Sequence, residues 1–543
     1  MRILWLAGLA LAVGTTASAQ QSVLQSRVDS IFRRFDSPQS PGCAVGVVQK
    51  DQLILARGYG MSNLEHGVPI TPASIFHVAS ISKQFTAAAI VLLAQQGKLT
   101  VEDDIRKHIP ELPDFGQRIT IRHLLHHTSG LRDQWSLLGL AGWRPDDPKS
   151  EADIMGLISR QRELNFVPGA QYLYSNTGYT LLAVIVKRVS GKTLREFADE
   201  NIFKPLGMTS THFHDDHTMI VPNRTSAYVQ RAGGSYAISI PVFDNHGATS
   251  LFTTVEDLAK WNRNFDEPRV GGSKLVELMQ TKGVLTDGET LPYAFGIVKD
   301  NYNGLVTVGH GGADAGYRAD YLRFPEQGYA FITLCNLGSA VPGDLNRRVA
   351  AVYLGDRMTT ASRPTTPQSV PVTRAQLEGF AGIYFDANTE TLAPVSLRDG
   401  KLHWGLTNEP MASVGIGAFR MERRPVTVVF SGRGTQLIAE VRPDGARPVK
   451  LERMRDRPTA QDLKAFEGTY YSPELDVTWT LVAADGRLML KRKRFDDSPL
   501  APSYADAFTG VGLFRFSRDN QGRVDGFRFG NGRVRNLRFE RQR

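Results

Sequence analysis

An internal repeat in the last third of the chain restricts its fold more than any other feature of the sequence. Four residues reappear after a shift of 86 positions, and a quartet of the form Asp-Gly-basic-Leu reappears at the same shift. The first set is Leu377, Phe380, Gly382 and Tyr384, matched by Leu463, Phe466, Gly468 and Tyr470; the quartets are Asp399–Leu402 and Asp485–Leu488. Both copies consist of short strand-like segments and glycine-rich turns. We therefore expect one small all-β unit built twice.

The end of the second copy indicates how each unit folds. Three segments there alternate apolar and basic residues. In a half-buried sheet this pattern places the apolar side chains inside and the basic side chains in solvent. They are Phe514–Phe516, Phe527–Phe529 and Leu537–Phe539, and Asn531-Gly532 is a hairpin signal between the last two. Because closure removes exposed strand edges, we predict two small antiparallel β-barrels at residues 377–459 and 460–543.

The preceding part of the chain is long enough for a domain of its own. The full length of 543 residues exceeds what a single core accommodates, and 41% hydrophobic and 22% charged residues are ordinary for a globular protein. Two strand patterns come early and four come late: Ala44–Gln49, Leu53–Tyr59, Tyr293–Val298, Leu305–Val308, Asp320–Phe324 and Tyr329–Cys335. This order predicts an α+β domain over residues 20–358 with an antiparallel sheet. Residues 359–376, which begin with a stretch rich in Thr, Pro and Ser, are expected to be a linker.

Residues 1–19 have the pattern of a secretory signal peptide. Arg2 supplies a positive charge, Ile3–Val13 is apolar, and Ala17–Ala19 offers a small-residue cleavage site. The apolar run is too short to span a bilayer, and no later stretch approaches twenty apolar residues. We expect a mature chain that begins near Gln20, is periplasmic or secreted, and has no transmembrane anchor.

The two cysteines, Cys43 and Cys335, stand at the ends of two predicted strands. An exported chain can form disulfides, but two cysteines do not make a disulfide framework. We expect two buried thiols that act as small apolar residues. A disulfide is the alternative, and it requires the two strands to be antiparallel neighbours.

The formal net charge of +9 is unevenly distributed along the chain. From Leu377 to the end there are 27 basic and 21 acidic residues, which gives this part a net charge of +6. Such a surface allows contact with acidic cell-wall polymers. Because the charge is not clustered in one run, a solvated basic face is the simpler interpretation, and no nucleic-acid partner is expected.

Candidate catalytic residues fall in three short motifs of the first domain. Ser80 and Lys83 are three residues apart at the start of a long apolar helix, so their side chains share one face. A neighbouring amine can activate a serine hydroxyl, which is a weak nucleophile on its own. Two further motifs, Tyr174–Asn176 and His310–Gly312, supply polar groups and glycines that permit close backbone approach.

With these motifs the chain resembles the serine β-lactamase and penicillin-binding-protein superfamily. It is most similar to the branch of class C β-lactamases, D-alanyl-D-alanine carboxypeptidases, D-aminopeptidases and related esterases. The resemblance covers residues from about 40 to 340 and includes the segments His126–Leu131, Phe166–Gly169 and Tyr174–Tyr179. It implies a β-lactamase-like α+β domain, with an antiparallel sheet flanked by helices and a helical subdomain. The two repeats resemble the lipocalin-like barrels that accompany D-aminopeptidase-type members.

The resemblance assigns the catalytic steps to three residues. Ser80 attacks the substrate carbonyl and becomes acylated. Lys83 holds the proton network of the serine, and Tyr174 acts as base and later as acid, directly or through the lysine. Which of these two side chains accepts the serine proton stays open.

Four further residues bind the substrate in this resemblance: Asn176, His310, Gly312 and Ala313. For Asn176 the resemblance leaves two roles open, a hydrogen bond to the substrate amide or support of Lys83. The N–H groups of Ser80 and Ala313 form the oxyanion hole. His310 replaces a lysine of many β-lactamases, and a mostly neutral imidazole attracts a substrate carboxylate less strongly. The motif therefore favours D-aminopeptidase or esterase activity over dedicated β-lactam hydrolysis. Residues 247–250 also depart from the paired glycines of many relatives.

We therefore expect an exported serine hydrolase that acts through an acyl-enzyme on small amides or esters, with D-amino-acid peptides or peptidoglycan fragments as preferred substrates. No metal or cofactor is expected, because His123, His126 and His127 lack a carboxylate at zinc-protease spacing and the cluster His212–His217 is interpreted as a polar loop. Two alternatives stay open. One is a carboxylesterase with weak β-lactam reactivity, and the other is a peptidoglycan- or penicillin-binding module that has lost catalysis.

Overall fold

The chain forms two compact units. The computed structural model describes residues 20–359, 370–444, 447–455 and 458–542. Of these, the first unit contains residues 20–131, 145–159 and 167–359, and the second contains residues 132–144, 160–166 and those from 370 onward. The expected signal peptide lies outside the described residues, as does most of the expected linker.

A six-stranded antiparallel sheet is the frame of the first unit. In chain order the strands of this unit are β1 (Cys43–Gln49), β2 (Gln52–Tyr59), β3 (Met61–Asn63), β4 (Val68–Pro69), β5 (Phe76–His77), β6 (His212–Phe213), β7 (Tyr228–Gln230), β8 (Tyr236–Ile238), β9 (Leu251–Thr253), β10 (Val298–Tyr302), β11 (Leu305–Asp314), β12 (Tyr317–Phe324) and β13 (Tyr329–Cys335). The sheet has the spatial order β10-β11-β12-β13-β1-β2. The α+β prediction is confirmed.

One expected strand, Tyr293–Val298, is wrong in its bounds. The chain turns at this point, because the Ala294 N–H donates to the Ile297 carbonyl at 2.7 Å. Gly296 in the turn has φ +70, and a Cβ there would lie 2.7 Å from the Lys83 carbonyl carbon. The strand therefore begins only at Val298, and the residues before it are left to line the space beside Lys83.

Helices cover both faces of this sheet. The helices of the chain are α1 (20–32), α2 (Ser82–Gln95), α3 (Ile121–Leu125), α4 (Gln134–Leu140, second unit), α5 (Glu151–Ser159), α6 (Asn176–Ser190), α7 (Leu194–Ala198), α8 (Lys204–Leu206), α9 (Val255–Asp266), α10 (Gly272–Met279), α11 (Pro342–Leu354) and α12 (Arg374–Phe380, second unit). Phe32 of α1 and Val349 of α11 share one core cluster with Val45 of β1. On the opposite face Gly46 leaves room for α9, since a Cβ there would lie 2.3 Å from Val255 Cγ1.

Helix α2 is buried along most of its length rather than on a single stripe. A helix that is apolar all round belongs in the interior of a protein, which explains the long run from Ala87 to Leu93. Among the described residues, no helix combines the length and the hydrophobicity that a membrane span requires.

The neighbouring strands β1 and β13 bring the two cysteines together. Cys43 is the register partner of Cys335, and their sulfur atoms form a disulfide. The expectation of two free thiols was therefore wrong. Residue types alone do not define the register of two strands whose cysteines are 292 residues apart. In the chain-entropy model, closing so long a loop stabilises the folded state by about 5 kcal/mol.

The second unit contains two closed antiparallel barrels of eight strands each, which confirms the prediction from the repeat. The first barrel consists of β14 (Gly382–Asp386), β15 (Thr391–Arg398), β16 (Lys401–Trp404), β17 (Glu409–Gly415), β18 (Ala418–Met421), β19 (Val426–Ser431), β20 (Ile438–Pro443) and β21 (Val449–Arg453). The second consists of β22 (Gly468–Ser472), β23 (Val477–Ala484), β24 (Arg487–Lys491), β25 (Ser498–Pro502), β26 (Ala507–Thr509), β27 (Leu513–Arg518), β28 (Val524–Gly530) and β29 (Leu537–Arg541).

The repeated glycines have the same structural role in the two barrels. Each barrel closes where its last strand meets its first, and an arginine of the last strand lies over the glycine. A Cβ on Gly382 would lie 3.0 Å from Nε of Arg453, and one on Gly468 would lie 2.9 Å from Nε of Arg541. The Arg453 guanidinium also donates to the Ala381 carbonyl at 2.8 Å. Glycine recurs because the arginine occupies the space of a side chain.

Candidate active site

Ser80 lies in a single 3-10 turn, Ala79–Ile81, that leads directly into helix α2. The preceding residue, Ala79, has φ +48, a left-handed conformation that a residue other than glycine adopts only when its surroundings impose it. The chain before the turn is held by the Val78 N–H, which donates to the Leu251 carbonyl at 3.0 Å. These constraints fix the half-buried Ser80 side chain at the start of α2.

Lys83 is fully buried, and three oxygen atoms surround its side-chain nitrogen. Nζ lies 3.1 Å from Oγ of Ser80, 3.0 Å from Oδ1 of Asn176 and 2.6 Å from the Ala248 carbonyl oxygen. An ammonium group has three N–H donors and no acceptor, so each of these three oxygens can receive one of its hydrogens. As an ammonium, Lys83 donates a hydrogen bond to Ser80.

Tyr174 stands beside Lys83, just before helix α6. The centre of its ring lies 4.8 Å from Lys83 Nζ, which is a cation–π distance. His127 packs against this ring with 4.2 Å between ring centres, and its Nδ1 accepts the Ser175 N–H at 3.2 Å. The segment before α6 therefore brings the Tyr174 ring and the Asn176 amide to the same lysine.

His310, on strand β11, is buried and neutral. Its Nδ1 donates to the Gly311 carbonyl at 2.6 Å, which leaves Nε2 to accept from the Tyr293 hydroxyl at 3.0 Å. Burial, and after it the positive charge of Lys83, lowers the pKa of His310 to about 4. At neutral pH the imidazole is therefore not a cation.

Gly312 and Ala313 lie where β11 extends beyond its neighbour β10. The pairing of these two strands ends at Gly309, whereas β12 accompanies β11 to its end. A Cβ on Gly312 would lie 2.2 Å from the Val78 carbonyl oxygen, so only glycine lets the two backbones meet. The strand thus touches the segment that leads to Ser80. The oxyanion-hole role of the Ser80 and Ala313 N–H groups stays a prediction.

Lys83 is the centre of the site, since its side chain contacts three other predicted residues: Ser80, Tyr174 and Asn176. His310 joins through its ring, whose centre lies 6.2 Å from that of Tyr174. Gly312 joins through its backbone beside Val78, and Ala313 follows it on strand β11.

Sequence reasoning missed three groups of this site: the Ala248 carbonyl, His127 and Tyr293. A backbone carbonyl has no signature in residue types. The only signal for it was Gly247, which has φ +93 and whose Cβ would lie 2.5 Å from the Tyr179 carbonyl oxygen. The sequence indicates for His127 only a place in the segment His126–Leu131, and for Tyr293 a place in a strand.

Two residues of the cluster at 212–217 form, together with Asp244, one group with metal-ligand geometry among the described residues. Asp216, His217 and Asp244 place one potential ligand atom each within 4.8 Å of one another. These atoms already have protein partners. His217 Nδ1 bonds Asp244 Oδ1 at 2.7 Å, and Asp216 Oδ1 accepts the Thr218 N–H at 2.8 Å. The group is therefore a hydrogen-bonded loop.

The chain is similar to known proteins in sequence and in fold. A family model described as Beta-lactamase matches residues 28–354. The chain is 26% identical over 536 residues to a D-aminopeptidase of Gluconobacter oxydans, and the match covers 95% of this chain and 98% of that protein. It is 24% identical over 525 residues to a D-aminopeptidase of Brucella melitensis biotype 2, covering 93% of this chain and 96% of the relative.

Two solved structures share the fold. One is an octameric penicillin-binding protein homologue from Pyrococcus abyssi, with a TM-score of 0.55 and 21% identity, covering 88% of this chain and 99% of that one. The other is a D-amino acid amidase from Ochrobactrum anthropi, with a TM-score of 0.52 and 22% identity, covering 62% of this chain and 99% of that one.

Proposed function

The chain belongs to the Beta-lactamase family and is a serine hydrolase, and we propose that it cleaves amides and short peptides of D-amino acids. The contact of 3.1 Å between Lys83 Nζ and Ser80 Oγ carries the proposal, because it joins the hydroxyl to a buried amine. The similarity to D-aminopeptidases runs through both compact units, which supports a substrate with a D-residue at its free amino end. Peptidoglycan fragments belong to this chemical class.

In the proposed reaction, Ser80 Oγ attacks the amide carbonyl and passes its proton to the cluster around Lys83 and Tyr174. The N–H groups of Ser80 and Ala313 hold the oxyanion, and each such donor typically contributes about 3 kcal/mol. The C–N bond then breaks, and the leaving amine takes the proton. Water attacks the ester on Ser80 by the reverse proton route, releasing the D-amino acid and the free enzyme.

The hydrogen bonds of Lys83 favour Tyr174 as the proton acceptor. Three oxygen atoms already receive hydrogen bonds from Lys83 Nζ in the resting site, so this nitrogen acts there as a donor. Lys83 then orients the Ser80 hydroxyl and compensates negative charge that develops beside it.

The neutral His310 supports amides over β-lactams as substrates. A β-lactam antibiotic presents a carboxylate that a lysine at this position would attract, and a buried imidazole with a pKa of about 4 is not charged at neutral pH. An amino-acid amide has no carboxylate beside the scissile bond, so it needs no cation there.

We also propose that the protein is exported. The signal-peptide pattern of residues 1–19 supports this, and so does the Cys43–Cys335 disulfide, because disulfides persist mainly in oxidising compartments. Cell fractionation with mass analysis of the mature N-terminus tests the proposal. An uncleaved protein in the cytoplasm would refute it.

Substrate profiling tests the catalytic proposal. The purified protein is assayed with D- and L-alanine p-nitroanilide, D-alanine amide, p-nitrophenyl acetate and a cephalosporin. We expect D-amides to exceed L-amides at least about tenfold, and Ser80→Ala to lower kcat/KM by at least about 10³-fold. Ser30→Ala, an exposed serine on α1, is the matched control and should keep full activity.

Other results would replace the proposal. Turnover of the ester alone would identify a carboxylesterase. Binding to isolated cell walls without any turnover would identify a binding module. Unchanged D-amide hydrolysis in Ser80→Ala would remove Ser80 as the nucleophile.

A further inference from the structure

A pocket of about 450 Å³ lies in the second unit, beside the turns at one end of the second barrel. One wall is Leu140–Trp143, which begins at the last residue of helix α4. The others are two segments of the barrel, Asp476–Trp479 and Arg492–Arg494. Pockets of about 300–1,000 Å³ are the usual size for small-molecule sites. The volume therefore fits one small organic molecule.

Positive charge dominates the lining. Arg492 Nε is buried and has no hydrogen-bond partner in the described part of the chain. The guanidinium carbon lies 4.5 Å from the ring centre of Phe495 and 5.9 Å from that of Trp479, so aromatic faces surround it. The neighbouring Lys491 pairs with Asp497 at 3.5 Å, whereas neither Arg492 nor Lys493 has an ion pair among the described residues.

Asp476 is the one carboxylate of the lining, and it already has a partner. Its Oδ1 accepts the Tyr471 hydroxyl at 2.9 Å. Because Arg492 is only half-buried, a ligand oxygen can reach the exposed part of its guanidinium and supply an acceptor that the described part of the protein does not. The pocket therefore combines an unused cationic donor with two tryptophans, Trp143 and Trp479.

The first barrel shows that the fold does not require these residues. At the shift of 86, the positions of Arg492, Lys493 and Arg494 hold Leu406, Thr407 and Asn408. The connection also differs in length, because four residues, 405–408, join β16 to β17, whereas six residues, 492–497, join β24 to β25. The position of Trp479 holds Ala393 in the first barrel. A closed barrel of eight strands thus forms without these cations and without a tryptophan at this position.

We propose that this pocket binds a small organic carboxylate that carries a flat apolar group, such as an aromatic amino acid with a free carboxyl end. The carboxylate accepts from the Arg492 guanidinium and pairs with the exposed Lys493 ammonium. The apolar group lies against Trp143 and Trp479. The site consists of second-unit residues only and contains none of the residues assigned to catalysis.

Calorimetric titration of the full-length chain tests the site, with N-acetyl-D-tryptophan as the probe. N-acetyl-D-tryptophanamide is its neutral match, and a Ser80→Ala background prevents turnover of either compound. We expect the acid to bind at least about tenfold more tightly than the amide, since a charged hydrogen bond contributes about 1.5–3 kcal/mol. Raising the salt concentration should weaken binding of the acid more than that of the amide.

Substitutions separate this pocket from other surfaces. The double variant Arg492→Gln/Lys493→Gln should weaken binding of the acid at least about tenfold. Arg487→Gln, an exposed arginine on β24 outside the pocket, is the matched control and should bind as the parent does. Trp143→Ala should weaken binding of the probe, but the acid should still bind more tightly than the amide. This variant provides a second test if the double variant alters the barrel.

Three results would overturn the proposal. They are equal affinity for the acid and the amide, an equal loss in Arg487→Gln, and no binding of the probe at millimolar concentration. Amide hydrolysis by the wild-type chain is measured separately, so failure of the pocket is distinguishable from failure of the proposed function.

Discussion

The two compact units hold a cationic side chain in opposite ways. Lys83 of the first unit is fully buried and has three oxygen acceptors around Nζ. Arg492 of the second unit is half-buried, and its buried Nε has no acceptor among the described residues. A cation with all its partners is held in place and orients them, whereas one that lacks partners retains attraction for an anion from solution. The number of hydrogen-bond acceptors around a buried cation therefore indicates its role better than its burial does. Lys83, which has acceptors inside the protein, fits a catalytic role, and Arg492, whose Nε lacks one among the described residues, fits the binding of a ligand.

Replacing Lys83 should lower the catalytic activity more than the other substitutions below. Lys83→Met removes the donor to Ser80 and leaves the Asn176 and Ala248 oxygens without it. We expect kcat/KM for a D-amide to fall at least about 10³-fold. Lys98→Met, an exposed lysine just after α2, is the control and should remain within about twofold of the parent.

If Lys83→Met kept most of the activity, the hydrogen bonds of Lys83 would not be required for catalysis, and the contrast with Arg492 would not reflect a difference in function. A thermal melt of each variant separates a chemical effect from unfolding, because the uncompensated oxygens also lower the stability of the first unit by about 1–3 kcal/mol each.

Acid should affect the stability of the first unit more than that of the second. Eleven of the 12 histidines belong to the first unit, and the buried His310 has a folded-state pKa of about 4 against an ordinary value of 6.5. Between these values the unfolded chain binds more protons than the folded one, so stability falls as pH decreases from about 6.5 to 4. His310 alone contributes up to about 3 kcal/mol to this loss.

Scanning calorimetry between pH 7 and 4.5 measures the effect. The transition of the first unit should move to lower temperature, and His310→Gln, which keeps a neutral donor and acceptor, should make this pH dependence shallower. A profile identical to that of the parent would exclude His310 as a contributor.

Disrupting the backbone contact between Gly312 and Val78, just before Ser80, should lower activity less than the loss of Lys83 does. Gly312→Ala places a Cβ 2.2 Å from the Val78 carbonyl oxygen, so the strand must shift. We expect kcat to fall about 100-fold, because displacing a reacting group by about 1 Å has this effect. Gly311→Ala is the matched control, since its nearest neighbour would be Asp320 Oδ1 at 3.6 Å. Equal activities of the two variants would show that the contact does not position Ser80.

The sequence was sufficient where the controlling geometry is local. Ser80 and Lys83 meet because a residue of the 3-10 turn and the residue three positions later, at the start of α2, lie on the same face. The 86-residue repeat likewise required the two barrels to share one plan. Contacts between distant segments of the chain could not be predicted in this way. The register that joins Cys43 to Cys335, and the Ala248 carbonyl that faces Lys83, depend on segments far apart in the chain.

The second unit illustrates the same limit. Lys491–Arg494 are four consecutive basic residues, so the expectation that the positive charge is not clustered was wrong at this point, and Trp143 lies more than 300 positions earlier. That residues 132–144 and 160–166 belong to the second unit follows only from the folded chain. The sequence therefore showed the cations of the pocket without showing the aromatic wall beside them.

The Cys43–Cys335 bond has a consequence for biosynthesis. Cys43 leaves the ribosome long before Cys335, and the chain has no third cysteine with which the waiting thiol could pair wrongly. Oxidation within one molecule therefore has a single possible product, and no disulfide isomerase is needed to correct it. The linkage can form only after nearly the whole first unit has been translated, so its appearance marks the completion of that unit.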